Sequence, residues 1–578
     1  MSTRTACPLD CYDACEMNII EEKIAASKNT YTSGFLCPHL NHFHKYPIIE
    51  KPTYMGKSIS MAEALIILKK MLLNSPQEKI LHYKGNGNFG LMQYVTEHFF
   101  ASYGATLTDG NLCDGVGEFG ILQGRGSNKN MPLSEIEKSE VIILWGRNPH
   151  ATSSHLLPLL KGKILIVIDP LKIKSAKTAT HYIQIKPHAD TLLALVICHF
   201  LYAKNMHNNA YIQEHTNNFE EFYALIQTIN IPSALEELDI TLDVIISIVE
   251  IIQNKKVAII CGLGVQKYND GANAMRAIDA IAVSLGLFGK EGSGVAYLGN
   301  SKESIESPFN TKAKKVSKVN TDFSLFKTVF IQGANPLGQM PNTQRVEASI
   351  KNVENIIYFG LYHNETSKIA HLIIPAKAFL FKNDIRTSYS SNVILRMHKS
   401  QDSLNGISEY DLSTYLCNAF SIAIKDEEYY INHYMNFSQK NDTQTLKVKH
   451  RQDIPYKNGF DTQDRTFVFL KKYPDMFHVK KGLFLLTSKS AKSLNSQFHR
   501  EQSVYLHSSH GFDEGIVICI RSRIGSVVLA VKHNDGLRED CVLIYSGTKG
   551  VNNLTTSQHS MDGKFAIYQE EKVEIQRV

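Results

Sequence analysis

The sequence has no dense run of lysine and arginine, no glycine-rich phosphate loop and no apolar stretch long enough to cross a bilayer. Each absence removes a class of function. Over 578 residues the formal charge is only +6, so no nucleic-acid partner is expected, and the mild excess at most favours an anionic ligand. The longest apolar stretch, TLLALVICHFLYA from Thr191, runs 13 residues with a histidine inside it. That is too short for a membrane span and fits a buried helix. The six residues before Cys7 hold one arginine, without an apolar segment or a twin-arginine pair, so the chain is expected in the cytoplasm. Neither G-x-G-x-x-G nor G-K-[ST] follows a candidate strand, which argues against ordinary dinucleotide and P-loop sites. Disulfides are not expected either: without a secretion signal the ten cysteines should stay reduced, and clustered ones then favour metal or redox chemistry.

What is present is an α/β pattern. With 43% hydrophobic residues the chain can bury a substantial core, and its length suggests roughly three or four domains. Apolar β-rich runs end in small or polar residues: VIILWGRNP, ILIVIDP, VAIICGLG, TVFIQGANP and NIIYFGLYHNETSK. Helical patterns such as GANAMRAIDAIAVSLGLFG lie between them. Alternation of this kind implies parallel sheets covered on both faces, whose ligands bind beyond the carboxyl ends of the strands. One signature occurs there twice, Gly146-Arg147-Asn148-Pro149 and Gly333-Ala334-Asn335-Pro336. It reads as a weak internal repeat: glycine lets a backbone N–H approach a phosphate, and asparagine can cap a turn or bond a base or ribose. Simple turn chemistry is the alternative. Residues 300–320 and 425–465 are polar and aperiodic and read as surface crossovers. From GLFLLTSKSAKSLNSQF onward short alternating strands suggest a small barrel-like β domain.

Three of the cysteines fall within nine positions. Cys7, Cys11 and Cys15 in ACPLDCYDAC follow C-x3-C-x3-C, and Cys37 comes 22 positions later in SGFLCPH. Four thiolates can complete a 4Fe-4S cube. Zinc is the competitor, though its structural sites usually present two C-x2-4-C knuckles and here the second is missing. Tyr12 and Asp13 are expected as surface turn residues. Cys198, Cys261, Cys417, Cys519 and Cys541 lie in apolar runs and are expected in the core.

CPLDCYDAC…GFLCPH, followed by EKPTYMGKSISMAEAL, resembles the amino terminus of molybdopterin oxidoreductases of the dimethyl sulfoxide reductase superfamily. That superfamily includes formate dehydrogenases, periplasmic nitrate reductases and thiosulfate or polysulfide reductases. The resemblance runs nearly end to end through YKGNGNFG, ILWGRNPHATS, LIVIDPLKIKSA, IQIKPHADTLLAL, GLGVQKYNDGANAMRAIDAIA, IQGANPLGQMPN, ETSKIAHLIIPA, LLTSKSAKSLNSQF and VNNLTT. It implies a small 4Fe-4S domain over residues 1–50 and an α/β domain over 51–112 and 318–420 that binds one pterin guanine dinucleotide. A Rossmann-like domain over 113–300 would bind the other, and a barrel-like domain over 480–578 would close on the pterins. The implied cofactor is a molybdenum or tungsten ion held by bis-molybdopterin guanine dinucleotide, beside the cluster. Gly146, Asn148, Asp169, Lys186 and Asp190 would surround one nucleotide tail; Gly333, Asn335, Glu365 and Thr366 would serve the other. Taken alone, Asp169 could equally be a helix N-cap. Gly262 and Gly264 would allow close backbone approach, and Thr487, Asn495 and Asn553 would close over the pterins.

The residue completing the metal sphere falls in DGNLCDGVGEFG, where Cys113 matches. A soft thiolate suits such a metal, Asp114 is the second candidate, and Gly115 and Gly117 would leave room for the pterins. Three departures follow. Asp114 stands where formate dehydrogenases commonly place histidine, which speaks against formate oxidation. His39 stands where a lysine usually lies between cluster and pterin, so a protonatable bridge is retained. His371 replaces a common aspartate and the last domain is short, so a more open pterin pocket is expected. The implied function is two-electron oxidation or reduction of a small substrate, with a ferredoxin-like iron–sulfur protein or subunit as electron partner. Alternatives are a metal-free electron-transfer relative and a non-redox hydratase or transhydroxylase on the same cofactor.

Overall fold

A computed structural model describes residues 2–28, 34–87, 89–403, 405–440, 446–473, 482–561 and 564–578. The chain divides into two compact units. The first comprises residues 1–110, 301–451 and 490–501, the second 111–300, 452–489 and 502–578. Among the described residues no helix is long and apolar enough to cross a membrane.

The first unit opens with an antiparallel sheet of Ser2–Ala6, Glu16–Ile20 and Lys23–Ala26. Its register pairs Ala6 with Glu16, so residues 7–15 form the connecting loop, and Cys7 N–H closes it on the Cys15 carbonyl at 2.8 Å. The unit's main sheet has six strands, in the order Lys57–Ser58, Thr53–Tyr54, Leu372–Pro375, Asn355–Gly360, Thr328–Gln332 and Ile80–Lys84. The last four are parallel and the first two form an antiparallel edge hairpin. Helix Met61–Leu73 starts in a full capping box, Ser60 with Glu63, which satisfies two otherwise orphaned N–H groups. It packs Leu68 and Leu72 with Phe99, Phe100, Phe330 and Phe359 into one apolar core.

The second unit holds a five-stranded parallel sheet, ordered His181–Ile183, Ile164–Ile168, Val141–Trp145, Val257–Cys261 and Gly294–Ala296. Every residue of Val141–Trp145 and Val257–Cys261 is buried, as strands covered on both faces require. Helices Asp190–Ala203, Gly271–Ser284 and Gly115–Arg125 cover it. In the same unit six short strands, Leu483–Leu486, Cys541–Leu543, Ser503–Leu506, Ser526–His533, Val517–Arg521 and Lys572–Arg577, close into a barrel.

Four local expectations change. Helix Glu427–Met435 lies in a stretch read as aperiodic; Asp426 caps it and Tyr430, Ile431 and Tyr434 are buried, a face built on tyrosines that hydropathy hides. Lys315–Ser317 pairs in parallel with Leu107–Asp109 rather than crossing free. Tyr12 and Asp13 are buried at 3% and 2% exposure, and their carbonyls are met from afar, Asp13 by Ser388 Oγ at 3.0 Å and Tyr12 by Ser390 N–H at 3.2 Å. Cys519 is half-exposed, since period-two alternation along Val517–Arg521 turns Ile518 and Ile520 inward and Cys519 out.

Candidate functional site

Three constructions carry the sequence candidates. The first is the cysteine loop of the first unit. Cys7, Cys11 and Cys15 hang from the hairpin, and Cys37 is the N-cap of the short helix Pro38–Asn41, with proline at its first position. Burial pushes the Cys7 thiol up to about 12 and also raises Cys11 and Cys15, and each of these three responds further to charge on Cys37. Among the described residues none of the four takes part in a disulfide. Backbone amides of Leu9, Asp13, His39 and Leu40 oppose the rise by hydrogen bonding to Cys7, Cys11 and Cys37. His39 is half-buried beside Phe498, ring centroids 5.3 Å apart, and its Nε2 is buried without a hydrogen-bond partner among the described residues. Burial lowers its pKa, against a hydrogen bond that the ring donates to the Ser493 backbone carbonyl.

The second construction is the pair of Gly-x-Asn-Pro turns. In the first unit Gly333 follows strand Thr328–Gln332 with φ +51°, and Asn335 starts a four-residue helix, Pro336–Gln339. Asn335 Nδ2 donates to Glu365 at 2.8 Å, while its Oδ1 accepts from Thr366 N and Oγ1 at 3.2 and 2.9 Å. Burial tends to raise the Glu365 pKa, but hydrogen bonds from Arg500 and Asn335 outweigh it and hold the carboxyl low; the Arg500–Glu365 ion pair is 2.9 Å long. Gly85 and Gly87 come up against this turn so closely that a Cβ on either would lie 2.6 or 2.7 Å from the Gly333 carbonyl oxygen. A cavity of about 1040 Å³, counting its open mouth, extends from Pro8 and Asp10 past Gly333 and Asn335 to Asn495. Asn495, expected with the barrel, thus belongs to the first unit.

In the second unit Gly146 has φ +58°, and Asn148 starts the short helix Pro149–Thr152. Gly262 N–H donates to the Trp145 carbonyl at 2.8 Å, and a Cβ on Gly262 would fall 1.7 Å from the Gly146 oxygen. At Gly264 the equivalent space is open. Asn148 Oδ1 is buried with no hydrogen-bond partner among the described residues. Asp169 is no helix cap: its carboxylate accepts from Leu171 N at 2.9 Å, a local turn of the kind aspartate forms after a strand. Asp190 accepts from Trp145 Nε1 at 2.7 Å. Burial pushes both carboxyls up to about 7. Lys186 stands half-exposed between strand His181–Ile183 and helix Asp190–Ala203.

The third construction is the Cys113 turn. Cys113 is half-exposed; its N–H donates to Asn111 Oδ1, and Asn111 Nδ2 donates to Asp114 at 2.6 Å. Burial raises the Asp114 pKa. Gln266 Nε2 donates to the Cys113 carbonyl at 2.9 Å, and the Lys267 ammonium donates to the carbonyls of Leu112, at 3.0 Å, and Cys113. Burial lowers Lys267 to about 8. Gly115 and Gly117 do not leave free room: a Cβ would lie 2.1 Å from the Phe565 ring and 2.9 Å from Tyr297 Oη, so protein aromatics fill that space. His371 does not open a pocket at the strand ends either. It stands at the amino end of Leu372–Pro375 and its Nδ1 accepts from Ile356 N at 3.1 Å. Thr487 closes strand Leu483–Leu486, and Asn553 Nδ2 donates to the Ser526 carbonyl at 3.4 Å on the barrel. Gln266 and Lys267 escaped the sequence reading, although they sit within the quoted GLGVQKYNDG; so did the steric need at Gly85 and Gly87.

Fold and site together define an α/β protein whose two parallel sheets end in the same Gly-x-Asn-Pro turn, with a three-thiol loop, a fourth cysteine capping a short helix, and a closed barrel. Residues 52–412 match the model of the molybdopterin oxidoreductase family, and the chain belongs to that family. It is 26% identical over 429 residues to the probable oxidoreductase YyaE of Bacillus subtilis (strain 168), covering 66% of this chain and 63% of that one. It is 23% identical over 459 residues to the assimilatory nitrate reductase catalytic subunit of the same organism, covering 68% and 64%. Formate dehydrogenase H of Escherichia coli (strain K12) is 21% identical over 454 residues, covering 65% and 62%. The chain thus spans a little under two thirds of the length of these relatives. Among solved structures, acetylene hydratase from Pelobacter acetylenicus shares the fold over 100% of both chains, with a TM-score of 0.74 at 12% identity.

Proposed function

We propose that this chain is a molybdenum- or tungsten-dependent oxidoreductase that carries bis-molybdopterin guanine dinucleotide and one 4Fe-4S cluster. It catalyses two-electron oxidation or reduction of a small substrate: an oxyanion, a sulfur compound, a formate-like acid or an S- or N-oxide. The observation that carries this reading is the duplicated turn. Two nucleotide tails need two equivalent strand ends, and at one of them Asn148 Oδ1 is a buried acceptor that no donor among the described residues meets, as expected where a ligand N–H completes the bond. The four-cysteine set fits the cluster: soft sulfur donors, Cys7 and Cys15 buried and Cys11 and Cys37 half-buried, with backbone amides pointing at Cys7, Cys11 and Cys37. Zinc fits less well, because the sulfurs come as a triplet and one distant cysteine.

Bound at these positions, the pterin-held metal supplies the two-electron chemistry. The chain's residues bind and orient it. Gly146, Asn148, Asp169, Lys186, Asp190, Gly262 and Gly264 hold one tail; Gly333, Asn335, Glu365, Thr366 and Asn495 hold the other, and Thr487 and Asn553 close on the pterins. Cys113 ligates the metal, with Asp114 as the rival ligand, and Gln266 and Lys267 fix the Cys113 carbonyl. His39 bridges cluster and pterin. Residues 1–50 carry the cluster, 51–112 with 318–420 and 113–300 each take one nucleotide, and 480–578 completes the pocket. A ferredoxin-like iron–sulfur protein exchanges electrons with the chain in the cytoplasm.

Metal analysis of anaerobically purified protein tests this. About four iron atoms and one molybdenum or tungsten per chain are expected, with GMP released on acid hydrolysis. Cys113→Ala should abolish turnover and keep the iron. Iron without the heavier metal would leave an electron-transfer relative, a full complement with hydration but no redox turnover would leave a hydratase, and zinc would overturn both.

A further inference from the structure

Arg386 is completely buried on the strand Asp384–Thr387. Its guanidinium donates to the carbonyls of Cys7 and Leu9 at 3.2 and 3.1 Å, of Cys11 at 3.2 Å and of Thr387 at 2.6 Å. It also lies over the Phe89 ring, 4.4 Å from its centre, and Phe89 N–H is itself bonded to the Pro8 carbonyl at 2.8 Å. Three of the four acceptors are thus loop residues bearing or flanking the clustered thiols, more than 370 positions away in sequence. Among the described residues no carboxylate forms an ion pair with Arg386; even Lys382, four residues before it, has Glu409 and Asp384. A buried cation satisfied only by neutral carbonyls is expensive unless a counter-charge arrives.

We infer that Arg386 is the built-in counter-ion of the amino-terminal cluster: its fork fixes the backbone of the Cys7–Cys11 loop, and its fixed positive charge raises the cluster's reduction potential. The inference rests on the cluster reading above. Reduction adds one electron, supplied by an external donor, and hence one negative charge beside a guanidinium already in place. Net charge and hydrogen bonding near the sulfurs are levers by which a protein sets such a potential. Because arginine does not deprotonate, this contribution is present at every physiological pH.

The test compares full-length wild type, Arg386→Lys and Arg386→Gln, purified anaerobically and titrated with dithionite while the reduced cluster is followed by electron paramagnetic resonance. With matched iron content, Arg386→Gln should lower the reduced-to-oxidised ratio about tenfold at the wild-type midpoint, a shift of about 59 mV for a one-electron couple, while Arg386→Lys stays within about twofold. If Arg386→Gln retains no iron but Arg386→Lys does, the charge requirement is equally supported. An unshifted midpoint in iron-replete Arg386→Gln, a Lys variant shifted as far as Gln, or loss of iron in both variants would overturn the inference. Wild type without iron or a paramagnetic signal would instead end the cluster reading itself.

Discussion

The two Gly-x-Asn-Pro turns share a left-handed glycine, an asparagine N-cap and a proline-led short helix, yet the protein treats their asparagines in opposite ways. Asn335 is used up by Glu365 and Thr366, and Glu365 is tied in turn to Arg500. Asn148 keeps an acceptor buried and, among the described residues, unmatched. One turn is preorganised by protein contacts, whereas the other leaves a polar group that the proposed nucleotide would meet. The difference teaches that a repeated motif can preserve backbone geometry while dividing its side-chain roles between stability and binding.

The largest effect should come from breaking the backbone contact that both turns share. Gly262→Ala puts a Cβ 1.7 Å from the Gly146 oxygen; neither backbone can yield cheaply, so urea denaturation of the cofactor-free chain should show a loss of about 4 kcal/mol or failure to fold. Gly85→Ala, whose Cβ would lie 2.6 Å from the Gly333 oxygen, is a milder clash and should lose less. Next, Asn335→Ala strands Thr366 and Glu365 and should cost about 2 kcal/mol of stability. Asn148→Ala should cost under about 0.5 kcal/mol, because it removes no protein hydrogen bond from Oδ1, while reducing the GMP recovered per chain. Equal stability losses would erase the contrast between the turns.

Asp190 sharpens the comparison through pH. Its pKa rises in the fold from 3.8 to about 7 because burial disfavours the charged form. The folded state therefore favours the protonated acid: stability is whole below 3.8 and declines as pH climbs toward 7. Asp190→Asn keeps an acceptor for Trp145 Nε1 and should melt above the wild type at pH 8, by on the order of 2 kcal/mol, with the curves merging near pH 4. Identical profiles would mean that the carboxyl is solvated. Smallest of all, Arg500→Ala releases a partly exposed ion pair and should lower stability by about 1 kcal/mol or less, with the Glu365 pKa rising, as carboxyl titration by NMR would show.

Much of this was legible locally. The apolar runs VIILW, ILIVI, VAIIC and TVFIQ are strands because five consecutive β-rich residues cannot be buried on one face alone, and the turns that follow them carry their own glycine, asparagine and proline. The cysteine spacing was likewise readable, since three thiols in nine residues can share one loop. What stayed hidden depended on contacts far apart in sequence. Gly85 looks like turn chemistry until Gly333 is seen against it. Tyr12 and Asp13 look exposed until Ser388 and Ser390 account for their carbonyls, and Gly115 looks like ligand space until Phe565 fills it.

Local residue chemistry by itself determined the strand and helix alternation, the duplicated turns, the four-thiol set and, through resemblance, the family. Tertiary structure alone decided which buried polar groups are already matched, as at Asn335, and which have no partner among the described residues, as at Asn148. It alone set Lys267 against the Cys113 turn and Arg386 beneath the cysteine loop. The physical reason is that propensity and spacing act over a few residues, whereas desolvation and charge compensation depend on every neighbour brought within a few ångströms, however distant along the chain.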